Sequence, residues 1–397
     1  MAVLFTGATG FLGSRILREL LAEDSEETIT VLGRGTPQEL RGRVEAAVTW
    51  LGGPPPAGGG FGRLRYVTAD LTRHRLGLRG RDRAAVTEGC TTLWHCAARL
   101  ALQGDPAPLF KANVAGTRRI LELAGEAPGA RVVHISTAYV AGGRRTGHVL
   151  ESDLTEEYGF RTSYEETKYT AERLVHAWAA RTGRTATVLR PSLLVDDRRI
   201  PDGLPDQSLG VLARLIGAAL RQKAAGDETL ARLLGGGDAH GSGMHFRIQG
   251  DPGGGINMVP VDYAARAAVR VAAARTGPGV RTVHITHPQN TGFAAAKYAF
   301  EARYPGITLT MVPTVPAPDP YEALFALHLG SLLAFLAQRR TYDRGNLLRD
   351  VGDLPDPQPV DGPYLARALG CTAAVASAVQ PVPLPRPPAG ARSASAG

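Results

Sequence analysis

Val3-Leu-Phe-Thr-Gly-Ala-Thr-Gly-Phe-Leu-Gly13 is the stretch that decides the fold. Its first apolar residues predict a short buried strand. Gly7, Gly10 and Gly13 then follow at three-residue spacing, ahead of an amphipathic helical pattern over residues 14–21. This order predicts a diphosphate cradle: Gly7 permits a tight turn, Gly10 lets the backbone approach the phosphates, and Gly13 lets the helix pack closely on the strand. The diphosphate would lie on free backbone N–H groups at the positive end of the helix dipole. The alternative, an ordinary glycine-rich turn, is open to a chain with 48 glycines.

The composition is that of a globular protein with a basic balance. The chain has 397 residues, 44% of them hydrophobic, and a formal net charge of +8. This length is long for one domain and short for three, and an α/β protein with a sizeable core is expected. The excess charge is mostly arginine, scattered without lysine blocks or interleaved aromatic residues. We therefore predict no nucleic-acid partner; a basic surface suits a phosphorylated cofactor or an acidic carrier protein.

The cysteines, Cys90, Cys96 and Cys371, are odd in number and widely separated. They predict neither a disulfide framework nor a metal site. A strand that begins at residue 2 or 3 leaves no room for a signal peptide. The longest apolar run, residues 323–337, is too short to span a bilayer comfortably. We expect a cytoplasmic protein without a transmembrane segment.

Further strand-like segments alternate with helical stretches along the first half of the chain, at residues 28–32, 64–71, 92–98 and 132–139. This alternation predicts right-handed crossovers and an α/β fold with a Rossmann-type, doubly wound parallel sheet. Ligands then lie at the carboxyl ends of the strands. The predicted division is a cofactor-binding domain over 1–195, to which 256–290 return, a substrate-side insertion over 196–255, a smaller, mainly helical substrate region over 291–375, and a disordered tail over 376–397.

Two arginines bear on the choice of cofactor. Arg34 lies directly after the second strand, and Arg43 follows within the next helical pattern. In this architecture an acid at the end of the second strand would bind a free ribose 2′-hydroxyl, whereas an arginine suits a 2′-phosphate. The prediction is NADPH; the alternative is that both arginines are solvated surface residues.

A tyrosine and a lysine share one face of a predicted helix. In Ser163-Tyr-Glu-Glu-Thr-Lys168, Tyr164 and Lys168 are four residues apart. A cationic Lys168 is expected to lower the pKa of the Tyr164 phenol from about 10 towards working pH, so that the phenol can protonate a developing alkoxide. Such a spacing alone is common on helix surfaces. Together with the cradle and the Ser136-Thr137 pair that ends the fifth strand, it favours a catalytic function.

With these residues in view, the chain resembles an extended short-chain dehydrogenase/reductase. The resemblance rests on TGATGFLG, Asp70-Leu71, Asn113-Val-Ala-Gly-Thr117, the Ser-Thr strand end, the Tyr/Lys pair and Arg190-Pro-Ser192, which follow the family's order over roughly the first 270 residues. It implies that Thr137 holds the substrate carbonyl, Tyr164 donates the proton and Lys168 binds the nicotinamide ribose. The cofactor-binding positions that it implies, besides Tyr164 and Lys168, are Gly7, Thr9, Gly10, Phe11, Leu12, Gly13, Arg34, Arg43, Asp70, Leu71, Ala97, Ala98, Asn113, Pro191 and Ser192.

Within that superfamily the sequence is most similar to the thioester-reducing branch, which comprises fatty acyl-CoA reductases and the terminal reductase domains of carboxylic acid reductases and peptide synthetases. The finer match lies in residues 135–142, 164–172 and 259–263, and more weakly in residues 339–346. One departure is the end of the fourth strand, His95-Cys-Ala-Ala98, where many relatives carry an asparagine.

The resemblance implies that NADPH reduces an acyl thioester, bound to CoA or to a carrier protein, to an aldehyde, and that a second reduction would give the alcohol. The apolar stretches 209–220 and 323–337 either wall a channel for the acyl chain or form ordinary helical core.

Two other functions stay open: a nucleotide-sugar epimerase or hydroxysteroid-type dehydrogenase of the same fold, and a non-catalytic dinucleotide-binding regulator. The former would favour an acid near position 34, and the latter generally lacks the Tyr/Lys pair.

Overall fold

The computed structural model describes residues 2–23, 25–52, 60–101, 104–207, 209–210, 244–274, 277–320, 322–323, 326 and 337–371. The predicted tail over 376–397 lies outside the described residues. So does nearly all of the two apolar stretches, 209–220 and 323–337, and their prediction as channel walls stays a prediction.

The strands are β1 (Ala2–Thr6), β2 (Thr28–Gly33), β3 (Leu64–Thr68), β4 (Cys90–His95), β5 (Arg131–Ile135), β6 (His148–Val149), β7 (Thr185–Pro191), β8 (Leu193–Val195), β9 (Met244–Gln249), β10 (Gly255–Ile256), β11 (Met258–Pro260), β12 (Gly279–Ile285), β13 (Thr291–Gly292), β14 (Ile307–Val312) and β15 (Thr341–Tyr342). The helices are α1 (Phe11–Ala22), α2 (Pro37–Trp50), α3 (Gly80–Thr87), α4 (Ala107–Leu109), α5 (Ala115–Gly125), α6 (Ser163–Thr182), α7 (Val261–Ala273), α8 (Phe293–Arg303), α9 (Gly345–Asp350) and α10 (Gly362–Ala368). A π-helical turn, Phe110–Val114, joins α4 to α5, and short 3₁₀ turns lie at Gly60–Arg63, His74–Gly77 and Ala138–Ala141.

A seven-stranded sheet in the order β12-β7-β5-β4-β1-β2-β3 forms the centre of the molecule. Every neighbouring pair in it is parallel. The chain winds outward in one direction from β1 through β2 and β3, and then in the other from β4 onward. The two halves therefore separate at the carboxyl ends of β1 and β4, which is where ligands bind in such sheets. The predicted Rossmann-type parallel sheet is confirmed.

Helices cover both faces of this sheet because each face is apolar. One buried cluster contains Ile16 and Leu17 of α1, Val44 of α2 and Ala264 and Ala268 of α7. The cluster on the other face is built mainly from α5 and α6 with the facing strand residues. Helix α6, which carries Tyr164 and Lys168, has well-defined ends: its first turn is closed by a reciprocal capping box, and the chain leaves it through a left-handed glycine, Gly183.

The predicted substrate-side segments, 196–255 and 291–375, contain strands as well as the predicted helices. Strands β9 and β14 pair in parallel, and β14 packs with α8, which in turn contacts α10. A separate apolar cluster includes Phe246, Ile248, Ile307 and Leu309. The side chains of Ile307–Val312 alternate between buried and exposed, so a strand-like period was present in the sequence and was missed.

Candidate active site

The glycine turn has the geometry of a diphosphate cradle. Gly7 has φ +81°, and a Cβ there would lie 2.6 Å from the backbone nitrogen of Ala97. A Cβ on Gly13 would lie only 2.0 Å from the Gly7 carbonyl oxygen, so helix α1 can approach the turn this closely only with glycine. Gly10 is the N-cap of α1 and supplies no side chain, and the first turn contains no acid. The backbone N–H groups of the first turn of α1 are therefore free to receive an anion, and the cradle fits a dinucleotide.

The remaining residues of the motif divide by burial. Thr9 and Phe11 are half-buried at the turn, whereas Leu12 is buried in the core beneath it. Arg15, one turn further along α1, is only 1% exposed and forms an ion pair of 2.5 Å with Asp196 and one of 3.3 Å with Asp262. This link between the cofactor helix and the start of α7 was not predicted from the sequence.

Arg34 and Arg43 are exposed and lie together at the end of β2. With Gly35, Glu39 and Gly42 they line an open recess of 630 Å³. The Arg43 guanidinium donates to the Arg34 carbonyl, and Glu39 is occupied in the capping box that begins α2. The recess thus offers two cations to a bound anion.

Asp70 and Leu71 follow β3 next to this recess. The Asp70 carboxylate accepts hydrogen bonds of 2.8 Å from both the backbone N–H and the hydroxyl of Thr72. Partial burial opposes its ionisation, but these hydrogen bonds and the charges of Arg34 and Arg73 outweigh it and lower its pKa. Leu71 is half-buried against α5, close to Gly116.

The end of β4 contains a buried histidine in place of an amide. His95 lies between the hydroxyls of Thr6 and Thr117, at 3.0 Å from each. Burial, with the charge of Lys168, lowers the pKa of His95 to about 3, so the ring is neutral. Ala97 is half-buried and Ala98 is exposed, which leaves this strand end open to a ligand.

Asn113 is buried, and its side-chain amide is used within the protein. Its Oδ1 accepts from the backbone N–H of Arg99 at 2.7 Å, while Nδ2 donates to the Arg99 carbonyl at 2.9 Å and to the Thr167 hydroxyl at 3.1 Å. The residue therefore fastens the loop after β4 to α6. The cofactor contact that the family resemblance implies for Asn113 stays a prediction.

The two hydroxyl residues after β5 point to different partners. Ser136 donates to Glu172 at 2.6 Å, in the interior behind the strand ends. Thr137 donates to the Pro191 carbonyl at 3.3 Å and accepts from the backbone N–H of Tyr139. Thr137 thus lies beside Pro191 and Ser192, and the Ser192 hydroxyl is buried with no partner among the described residues.

Tyr164 and Lys168 lie one turn apart on α6, as predicted. The Lys168 ammonium is buried and donates to the Ile135 carbonyl at 2.7 Å, and burial lowers its pKa to about 8. The predicted effect on Tyr164 is wrong for the protein without ligands. Burial, and after it the carboxylate of Glu165, raise the pKa of Tyr164, because desolvation of a phenolate outweighs any attraction to Lys168. No described group forms a hydrogen bond with the Tyr164 phenol.

Behind these side chains is a buried ionic network that the sequence did not predict. Glu172, one turn beyond Lys168, pairs with Arg190 at 2.6 Å, and both are about fully buried. Burial alone would raise the pKa of Glu172, but Arg190 and the hydrogen bonds to the carboxylate lower it to about 2. Arg190 also donates to the Glu151 carbonyl, and the Glu151 carboxylate accepts from the backbone N–H groups of His284 and Asn346. The four-residue spacing of Lys168 and Glu172 on α6 was the sequence signal that could have indicated this network.

The parallel sheet, the glycine cradle and the Tyr/Lys pair on one face of α6 define the class: an extended short-chain dehydrogenase/reductase. Within this class the chain belongs to the NAD-binding family described as "Male sterility protein", whose model matches residues 5–268.

The curated relatives support the thioester-reducing branch. The chain is 32% identical over 195 residues to an isonitrile lipopeptide synthase of Streptomyces coeruleorubidus, a match of 49% of this chain and 13% of that protein. It is 32% identical over 154 residues to fatty acyl-CoA reductase 1 of Pongo abelii, a match of 34% of this chain and 28% of that protein. The chain thus matches less than a third of either relative.

Solved structures show the same fold. The terminal R domain from the myxalamid PKS-NRPS pathway superimposes with a TM-score of 0.68 at 23% identity, covering 93% of this chain and 90% of that one. MoeE5 in complex with UDP-glucuronic acid and NAD superimposes with a TM-score of 0.58 at 20% identity, covering 94% and 98%. The resemblance to the reductase branch is confirmed by the family and the curated relatives.

In the ranges that the structure describes, no cluster of three or more His, Cys, Asp or Glu side chains could hold a metal ion. Within the same ranges, no helix combines the length and apolar character needed to cross a bilayer.

Proposed function

We propose that this chain is an NADPH-dependent reductase that converts an acyl thioester, carried by CoA or by a carrier protein, to an aldehyde, and to an alcohol after a second reduction. The observation that carries the proposal is the position of Lys168: it lies one turn from Tyr164 on α6, and its ammonium donates to the carbonyl of Ile135 at the end of β5, two residues before Thr137. Family membership and the two curated relatives favour a thioester over other carbonyl substrates.

The cofactor would be held by residues described above. The N–H groups that begin α1 would receive the diphosphate, and Arg34 with Arg43 would receive a 2′-phosphate. Lys168 would bind the nicotinamide ribose, and the unpartnered hydroxyl of Ser192 would meet the nicotinamide. The reduced nicotinamide, when bound, supplies the hydride.

The protein's own groups would act on the carbonyl oxygen of the thioester. Thr137 and Tyr164 donate hydrogen bonds to this oxygen as negative charge develops on it. The raised pKa of Tyr164 keeps the phenol protonated in the free protein, so the proton is present when the carbonyl arrives. Protonation gives a hemithioacetal, whose C–S bond then breaks to release a thiol and the aldehyde.

Incubation with NADPH and a chain-length series of acyl-CoA and carrier-bound thioesters, with product analysis by mass spectrometry, tests the proposal. We expect the aldehyde first and the alcohol later. An apolar acyl chain should be reduced faster than a short one, because each buried methylene contributes about 0.8 kcal/mol. Turnover of a nucleotide sugar or hydroxysteroid with no thioester product would contradict the assignment. Binding of NADPH without turnover of any substrate would favour a regulatory module.

A further inference from the structure

A late segment of the chain packs against the loop that follows Thr137. Strand β15 pairs in parallel with β6. The backbone N–H groups of Arg339 and Thr341 donate to the carbonyls of Arg145, at 2.7 Å, and Gly147, at 2.9 Å. The segment is thereby fixed along the loop 138–149, which begins directly after Thr137.

Arg340 is the centre of this contact. Its side chain is 1% exposed. One guanidinium nitrogen donates to the carbonyl of Gly142 at 2.8 Å, 198 residues away in sequence, and to that of Arg144 at 3.0 Å. The Nε atom donates to the Tyr342 hydroxyl at 2.7 Å. The planar, multiple donors of arginine can hold two carbonyls and a hydroxyl together, which a lysine cannot do.

The same guanidinium lies near the first turn of the catalytic helix. Glu165 follows Tyr164 directly and is fully buried; its Oε2 accepts from the backbone N–H groups of Arg161 and Thr162. Its other oxygen has no hydrogen-bond partner among the described residues, and neither has the second terminal nitrogen of Arg340. Burial raises the pKa of Glu165, and the positive charge of Arg340 is among the effects that oppose this rise. The two groups therefore attract each other across the site.

We propose that Arg340 is a positioning residue: its guanidinium holds the loop that follows Thr137 and attracts Glu165 beside Tyr164, which fixes the Thr137 hydroxyl relative to the Tyr164 phenol. The inference rests on the proposed reductase function, because the relative placement of these two donors sets their hydrogen bonds to the carbonyl oxygen. A displacement of about 1 Å in such a pair can lower turnover roughly a hundred-fold.

The test compares Arg340→Met with Arg339→Met in thioester reduction and NADPH binding. Arg339 is the matched control, since its side chain is 57% exposed and pairs with Asp251 on the surface. Arg340→Met should lower kcat on the order of ten- to a hundred-fold while the Kd for NADPH stays within about two-fold, because no cradle residue contacts Arg340. Arg339→Met should leave both unchanged. Arg340→Lys should keep more turnover than Arg340→Met, since it retains the charge that faces Glu165.

An unchanged kcat in Arg340→Met would overturn the inference, as would equal losses of kcat and NADPH affinity, which would indicate general damage. Equal losses in the Lys and Met variants would overturn the attraction to Glu165. If Arg340→Met does not fold, Tyr342→Phe decides: lower kcat with normal NADPH binding supports the inference, and unchanged kcat contradicts it. A wild-type protein that reduces no thioester would instead overturn the proposed function and this inference with it.

Discussion

The glycine cradle and the proposed substrate-side wall are built in opposite ways. The cradle lies within residues 7–13 and uses backbone N–H groups that glycine leaves accessible. The wall consists of Thr137, which follows β5, Arg190 of β7 and Arg340 of the C-terminal segment, and it uses buried polar side chains, two of them guanidinium groups. A site made from backbone needs a local pattern. A site made from oriented side chains depends on contacts between distant parts of the chain.

The largest effect should come from the buried ionic network. Glu172→Gln would leave the Arg190 charge buried and uncompensated, which costs about 3–5 kcal/mol of unfolding free energy at neutral pH. Because the pKa of Glu172 is lowered from 4.5 to about 2, its contribution is complete above pH 4.5 and is lost as the pH falls towards 2. The difference between wild type and variant should therefore narrow in acid. Urea unfolding at several pH values measures it.

Glu122→Gln provides the comparison for that experiment. Glu122 is 54% exposed, and its ion pair with Arg118 is long, at 4.0 Å. Its removal should therefore change the unfolding free energy by less than about 1 kcal/mol. If Glu172→Gln destabilises the protein no more than this control, the network does not hold the wall in place.

The next effect concerns catalysis alone. Tyr164→Phe removes the proposed proton donor while keeping the ring, and should lower turnover on the order of a hundred-fold or more with NADPH binding nearly unchanged. Tyr158→Phe, at a side chain that is 44% exposed, should behave like wild type. Steady-state kinetics measure turnover, and calorimetry measures NADPH binding. Full turnover by the Tyr164 variant would show that another group donates the proton.

A cradle substitution should give the converse result. In Gly13→Ala the new Cβ would meet the Gly7 carbonyl, so α1 must shift at a cost of about 1–3 kcal/mol, and NADPH should bind roughly ten-fold more weakly. Gly125→Ala in α5 adds its methyl group to open space and should leave binding unchanged. Equal NADPH affinity of the two variants would argue against a cradle at this turn.

The smallest effect should be on cofactor choice. Arg34→Ala removes one exposed, charge-assisted contact to a 2′-phosphate, worth about 1.5 kcal/mol, or roughly ten-fold in affinity. The Arg34→Ala variant should therefore lose the protein's preference for NADPH over NADH. Arg41→Ala, at a side chain that is 64% exposed on α2, should not alter that preference. Equal dissociation constants for the two cofactors in the wild-type protein would contradict the predicted specificity.

The sequence by itself determined the features that depend on local spacing. The glycine turn after β1, the alternation of strand and helix, and the pairing of Tyr164 with Lys168 on one face follow from fixed backbone geometry within a few residues. These sufficed for the fold class and for the Tyr164/Lys168 pair, whereas Thr137 entered the candidate catalytic set through the family resemblance. The missed strand β14 also shows an alternation that is typical of strands. It pairs with β9, however, which lies far away in the chain, and strand pairing is not determined by local sequence.

Only the tertiary structure decided how the candidate residues are used. It turned Ser136 inward to Glu172 and Thr137 towards Pro191, and it used the Asn113 amide to anchor a loop. It also reversed the predicted direction of the Tyr164 pKa shift, and it brought Arg340 against the loop after Thr137. The physical reason is common to all five. Hydrogen-bond partners, desolvation and charge pairing depend on which groups packing brings within a few ångströms, and sequence spacing does not specify that set.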